Sequence, residues 1–338
     1  MSTYRAFEVT GSKQFVLVDR ELRSPAPGEV RLRVEACGVC HSDVIAVEGL
    51  RADPARPIVP GHEVVGVIDA VGVGVSRWRV GERVGFGYLG GHCTECDSCR
   101  RGDFVNCSDQ SQMGSSTDGG YAEVAYVRAT GLARIPAGLA AIEAAPLLCA
   151  GLTTFKALEQ LTLRPNSLVA VQGIGGLGHL GLQYAGKLGY RVAAIARGTE
   201  KAALAKQLGA DHYIDSTSED PAAALQQLGG ADAIIATATS GASMSPLVGG
   251  LAPRGTLLVV GVGFDPITIN TLDLVFGNRS LTGSLTGTPI ENEDSLAFSA
   301  RHGIRAMIET MPLSEAPQAY DRMMSGDARF RVVLESAA

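Results

Sequence analysis

The chain has 338 residues, of which 46% are hydrophobic and 19% charged, with a formal net charge of −6. That length suits two domains, each able to bury a sizeable core, and the acidic balance excludes the basic footprint of a nucleic-acid binder. No apolar run is long enough to span a membrane, residues Met1 to Glu8 show no signal-peptide core, and cysteines in metal-like spacings suit a reducing compartment, so a cytoplasmic protein is expected.

Through about residue 145 the chain reads as short strands punctuated by Gly and Pro, as in Glu29–Val34, Val64–Asp69 and Tyr121–Tyr126. Cys37 sits in such a run and reads as a buried thiol. Then come two isolated polar motifs, Cys40-His41-Ser42-Asp43 and Gly61-His62-Glu63. Next is Cys93, Cys96, Cys99 and Cys107, a C-x2-C-x2-C-x7-C run in a loop poor in apolar anchors. Four thiols this close can converge on one tetrahedral zinc and fill its coordination sphere, which makes the site structural. Disulfides or free thiols are the alternative, but C-x-x-C geometry suits a metal better. Further on, Cys149 lies in Leu147-Leu148-Cys149-Ala150-Gly151. Cys40, His62 and Cys149 together make a Cys2His set with one position open, as a catalytic zinc requires. Taken singly, that His reads equally as a turn residue and that Cys as a buried thiol.

From about Ala150 strands alternate with helical stretches. Apolar runs fall at 168–172, 191–196, 211–215, 232–236 and 256–260, with a sixth strand over Ser280–Leu285, which is the order of a doubly wound parallel sheet. Between the first run and its helix stands Gly173-Ile174-Gly175-Gly176-Leu177-Gly178. A G-x-G-x-x-G in that place is a dinucleotide fingerprint. Its glycines permit a tight turn, and the helix N-terminus faces the pyrophosphate.

These motifs together resemble the zinc-dependent alcohol dehydrogenases of the medium-chain dehydrogenase/reductase superfamily, nearly end to end. The resemblance implies an α/β chain: a discontinuous, β-rich GroES-like catalytic domain (1–147 and 286–338) and a Rossmann coenzyme domain (148–285), with the active site in the cleft between them. It implies two zinc ions, and hydride transfer between a nicotinamide coenzyme and a small alcohol, aldehyde or ketone, the zinc acting as Lewis acid. Relatives that use NAD hold the ribose 2′-hydroxyl with an acid at the end of the second coenzyme-domain strand. Here that place reads Ala196-Arg197-Gly198-Thr199. An acid about 4 Å from a 2′-phosphate would repel it by about 4 kcal/mol at an effective dielectric near 20, and an arginine attracts it comparably. NADP is therefore expected, with Arg197 on the 2′-phosphate.

The family's residue roles carry over position by position. Ser42 matches the hydroxyl that contacts the substrate oxygen and starts a proton relay. Asp43 is expected to accept a hydrogen bond from His62, and Glu63 to stand behind the metal without being a resting ligand. Where many relatives place a relay histidine, this chain has Ile45, so the relay must pass through the coenzyme ribose or use His41. Gly261 and Val262 (with Gly263), Ser284 and Leu285 match segments that pair with the carboxamide; Thr153 matches a residue close to the nicotinamide, and Arg331 one that reaches the pyrophosphate. Leu50, Tyr88, Leu89 and Ile290 fall where relatives line an apolar substrate pocket. A homodimer or homotetramer is expected, pairing through the edge of the coenzyme sheet. The alternatives are an NAD-dependent alcohol or polyol dehydrogenase, a double-bond reductase of the same fold, and a non-enzymatic zinc protein.

Overall fold

The computed structural model describes residues 2–336 except 12, 52 and 54. They form two compact units, the described residues of 1–152 with those of 287–338, and residues 153–286. The second unit starts at 153 where 148 was expected, so Cys149 falls in the first.

Strands follow in chain order. β1 (Thr3–Val9), β2 (Phe15–Glu21), β3 (Glu29–Val39), β4 (Glu63–Val71), β5 (Arg83–Phe86), β6 (Val124–Arg128) and β7 (Ala133–Arg134) belong to the first unit. β8 (Leu168–Gln172), β9 (Arg191–Ala196), β10 (His212–Asp215), β11 (Ala231–Ala236), β12 (Leu251–Val259) and β13 (Ser280–Gly283) make the second. β14 (Ile308–Pro312) and β15 (Arg331–Glu335) return to the first.

In the first unit β1 and β2 form a hairpin, and a larger sheet runs β14-β15-β3-β4-β5-β7 with β6 also on β3. Its pairings are antiparallel except β14 with β15. Val30, Leu32 and Val34 of β3 point into the core, and the alternation ends at Ala36, after which the strand is buried on both faces. That fully buried end delivers Cys40. The expected strand over Tyr121–Tyr126 begins only at Val124. Residues 119–121 bond backward instead: Gly119 N to Val59 O, Gly120 N to Gly61 O and Tyr121 N to Pro60 O. Two glycines let that segment lie against the 59–61 turn, where a regular ladder would not fit.

In the second unit, among the described residues, six parallel strands run β10-β9-β8-β11-β12-β13. Numbered within the unit this is 3-2-1-4-5-6, the doubly wound dinucleotide-binding order. β8 is buried at all five positions, as a parallel strand covered on both faces must be. The sixth strand stops at Gly283, short of Leu285, although Ser284 N still donates to Val259 O at 3.0 Å. Among the described residues no single helix is long and apolar enough to cross a membrane.

Candidate metal and coenzyme sites

Ligand atoms of Cys40, His62, Glu63 and Cys149 lie within 4.8 Å of one another in the first unit. The chain brings them together from three places. Cys40 ends the buried stretch after β3, His62 and Glu63 open β4, and Cys149 follows the short turn Ala145–Leu148. Asn292 Nδ2 donates to Leu148 O at 3.2 Å and so fixes the residue before Cys149; the sequence alone gave no sign of this buried amide. Asp43 Oδ1 lies 3.0 Å from His62 Nδ1, while Oδ2 accepts from Cys40 N at 3.0 Å and from the Tyr121 hydroxyl at 2.9 Å. One carboxylate thus holds both an imidazole and the backbone of a neighbouring thiol. Its pairing with His62 was expected; its contact with Tyr121 was not.

The donor set fits a metal ion. His62 Nε2 and Glu63 Oε2 are buried without a hydrogen-bond partner, an expensive state unless something else satisfies them. The Cys149 thiol and the His62 ring hold the Cys40 thiol well below its usual pKa. Burial opposes charge on His62, yet Cys40 and Asp43 raise its basicity well above the ordinary value. A thiolate beside an imidazole held from behind by a carboxylate is the chemistry of a zinc site.

Glu63 brings a carboxyl oxygen into the same cluster. Its carboxylate is buried and paired with Arg331. Burial pushes its pKa up to about 8 against the pull of that guanidinium. Arg331, expected at the pyrophosphate, has this carboxyl as its partner. That side chain is 4% exposed. The cause of the pairing is register. β15 pairs with β3 and β3 with β4, and Gly38 lies opposite Glu63. A Cβ on Gly38 would sit 1.9 Å from Glu63 Oε2, so only glycine lets the carboxylate cross toward β15.

His41 is exposed and Ser42 half-buried on the turn His41–Asp43, one and two residues past Cys40, and Ile45 is half-buried just beyond. The Tyr88 ring meets the His62 ring edge-on at 5.5 Å, and Leu89 is buried. Leu50 and Ile290 are 51% and 57% exposed, so the structure does not enclose them in a pocket with Tyr88.

The second cluster is Cys93, Cys96, Cys99 and Cys107. All seven cysteines are free thiols. Cys93 Sγ lies 3.9 Å from Cys99 Sγ and 3.5 Å from Cys107 Sγ. A tetrahedral ion with Zn–S bonds of about 2.3 Å spaces its sulfurs about 3.8 Å apart. Backbone N–H groups point at the sulfurs, from Cys96 to Cys93 at 3.3 Å and from Cys99 to Cys96 at 3.5 Å. The N–H groups of Cys99 and Ser108 bring the Cys96 thiol down to about 6. Cys96 is thus poised as a thiolate, the form that ligates, whereas burial and the neighbouring thiols push Cys99 up to about 12.

The coenzyme motif lies in the second unit. Gly173 turns with φ +89, and a Cβ on Gly178 would sit 1.7 Å from Gly173 O, so helix Gly178–Lys187 packs onto the turn only through glycine. A Cβ on Gly175 would meet nothing within 4 Å, which leaves open space over the turn. Gly176 and Leu177 complete the turn before the helix. Lys201 was not singled out from the sequence, yet its Nζ donates to Ile174 O at 2.9 Å and brings positive charge to the turn. At the end of β9, Ala196 gives way to the exposed Arg197. Gly198 N donates to Asp215 Oδ1 at 2.7 Å and Gly198 O accepts from the Tyr213 hydroxyl at 2.6 Å, pinning the loop that carries Arg197 and Thr199. Thr153 Oγ1 donates to Leu285 O at 3.5 Å, so two residues expected near the nicotinamide touch. Gly261 N bonds to Ala236 O at 3.0 Å, and Val262 and Gly263 follow it into solvent.

Family models match both units: the alcohol dehydrogenase GroES-like domain over residues 26–137 and the zinc-binding dehydrogenase domain over residues 176–301. The chain is 42% identical to alcohol dehydrogenase patD of Penicillium expansum over 335 residues, covering 98% of both chains. The chain belongs to the zinc-type alcohol dehydrogenases of the medium-chain dehydrogenase/reductase superfamily. An alcohol dehydrogenase of Geobacillus stearothermophilus is also 42% identical, over 310 residues and 91% of both chains. Among solved structures, a cinnamyl alcohol dehydrogenase of Sorghum bicolor superposes with a TM-score of 0.89 at 31% identity, over 99% of this chain and 98% of that one. This oxidoreductase is thus of the alcohol dehydrogenase or aldehyde reductase type.

Proposed function

We propose that the protein interconverts alcohols with aldehydes or ketones, using NADP(H) and a zinc ion held by Cys40, His62 and Cys149, with a second, structural zinc in the Cys93–Cys107 lobe. The convergence of two thiols and an unpartnered imidazole nitrogen on one point carries this reading. Zinc bound there would serve as a Lewis acid toward the substrate oxygen, and the nicotinamide would carry the hydride. The chain's own residues do the rest. Asp43 fixes the ring and tautomer of His62 from behind. Ser42 Oγ both accepts and donates, so it can take the alcohol proton and pass it on. Ile45 cannot continue that path, so the next acceptor is His41 or a hydroxyl of the coenzyme. Tyr88 and Leu89 present an apolar wall suited to aliphatic or aromatic substrates. The turn Gly173–Gly178 receives the pyrophosphate on backbone N–H groups. Arg197, with no acid at position 196, favours a 2′-phosphate.

We also infer that copies pair in the cytoplasm through the edge of the coenzyme sheet. Every residue of β13 is exposed, and Phe264 and Phe276 stand 88% and 84% exposed in the same unit. An unblunted edge strand with apolar neighbours calls for a cover.

Metal analysis and steady-state kinetics with both coenzymes test the central reading. Two zinc ions per chain and a higher kcat/KM with NADPH than with NADH are expected. One ion or none removes the metal assignment, and a preference for NADH removes the role given to Arg197.

A further inference from the structure

Tyr121 is a fully buried tyrosine whose hydroxyl points at a carboxylate. Burial and the nearby Asp43 charge push its pKa well above the ordinary value, so the group stays a donor. Its backbone is tied to the turn before the candidate ligand, since Tyr121 N bonds to Pro60 O and Gly120 N to Gly61 O. Its ring is packed in place. A Cβ on Gly61 would come 2.5 Å from the ring, and Phe15 stacks on it at 6.4 Å between centroids and 15° between planes. Hydroxyl, Asp43 and His62 form one line, with Tyr121 Oη 2.9 Å from Asp43 Oδ2 and Asp43 Oδ1 3.0 Å from His62 Nδ1.

A buried carboxylate has several acceptor positions, and each left unfilled makes its orientation looser. Cys40 N and Tyr121 fill Oδ2, and that leaves Oδ1 directed at the imidazole. We propose that Tyr121 is a positioning residue for the metal site: its hydroxyl locks Asp43, and through Asp43 fixes the His62 ring that presents Nε2 to the ion. This rests on the zinc reading of the Cys40/His62/Cys149 cluster. Partners that stand behind metal-binding histidines are typically worth 10–100-fold in metal affinity. Tyr121 is one link further back, so the lower end is expected.

Tyr121→Phe keeps the ring and its packing and removes only the donor. Zinc release from the purified protein to a chromogenic chelator should show two phases in the wild type, one per site. In Tyr121→Phe one phase should quicken about tenfold, while the other, from the cysteine lobe, stays unchanged. The visible spectrum of the protein with cobalt in the first site should shift as well. A general loss of structure would lower the melting temperature and quicken both phases, and would overturn the proposal. So would a release rate within twofold of the wild type. In an Asp43→Asn background, adding Tyr121→Phe should change the release rate by less than twofold. A larger further change would mean that Tyr121 does not act through Asp43. If Tyr121→Phe does not fold, Asp43→Asn alone decides: unchanged zinc release in that variant breaks the chain at its middle link. A wild type that yields only a single zinc overturns instead the metal reading on which the proposal stands.

Discussion

Arg331→Met should destabilise the first unit more than its place at the end of the chain suggests. The side chain is 4% exposed and its partner Glu63 is fully buried, with Oε2 already unpaired. Methionine keeps the apolar stem and removes the charge. Breaking a buried ion pair from one side strands the other charge, at a cost of about 3–5 kcal/mol. Burial raises the carboxyl to about 8 even beside the arginine, so near pH 7 much of it already carries a proton and the stranded charge is only partial. The lower half of the range is therefore expected at pH 7. Trp78 is the only tryptophan, is 1% exposed in the first unit, and donates through Nε1 to Ala129 O at 2.9 Å. Its emission in a urea titration reports the unfolding of that unit. With a slope of about 2 kcal/mol/M, 3–4 kcal/mol lowers the midpoint by about 1.5–2 M. Adding Glu63→Gln should restore most of the loss, because no stranded charge remains. A single-mutant shift below about 0.3 M would refute the claim that this pair is buried and closed to water.

Gly175→Ala should leave thermal stability within a degree or two, because its Cβ would meet nothing within 4 Å, and weaken coenzyme binding at least tenfold by fluorescence titration if that open space receives the coenzyme. Gly178→Ala should instead lower the melting temperature clearly, since its Cβ would strike Gly173 O. Ser42→Ala should cut kcat by about 10²-fold or more if the hydroxyl handles the alcohol proton, and a change under threefold would remove it from the mechanism. The Asp215 carboxyl is held below its usual pKa by the N–H and hydroxyl of Thr217 and by Gly198 N. A depressed pKa stabilises the fold above the unfolded value, and that contribution is lost as pH falls through the folded one. Asp215→Asn should therefore speed amide exchange of the 197–199 loop at pH 7 by a margin that narrows as pH falls below the ordinary carboxylate range, and a margin that stays constant into acid would contradict this.

Much of this molecule was legible before folding was considered. The cysteine spacings, the Gly173–Gly178 turn and the order of apolar runs are local signals, and the six coenzyme-unit strands fall within a few residues of where periodicity put them. Asp43 was legible because the family shares it. What sequence hid was pairing across distance. Arg331 and Glu63 are 268 residues apart, and Tyr121 and Asp43 are 78 apart. Nothing local says that two intervening strand registers and a glycine at position 38 bring the first pair together. The partner of Arg331 was hidden for that reason: it is a carboxylate brought by another strand. Tyr121 looked like a strand residue because its neighbours alternate, and only the backward bonding of residues 119–121 turns it toward Asp43. The domain boundary slipped because the helix Ala150–Glu159 contains the crossing and carries no Gly or Pro cluster to mark it.

The late return of β14 and β15 to the first unit sets a timetable for synthesis. β15 fills the edge of β3, yet 291 residues lie between Val39 and Arg331. At about 5–20 residues per second, a ribosome needs roughly 15–60 s to cover that gap. Residues 153–286 emerge as one uninterrupted block and can close their own sheet meanwhile. During that interval the nascent first unit has a bare flank, and Glu63 has no counterion. A stop codon between Thr286 and Arg331 would therefore leave a finished coenzyme module attached to an unfinished partner, a product that chaperones and proteases should recognise by its open seam.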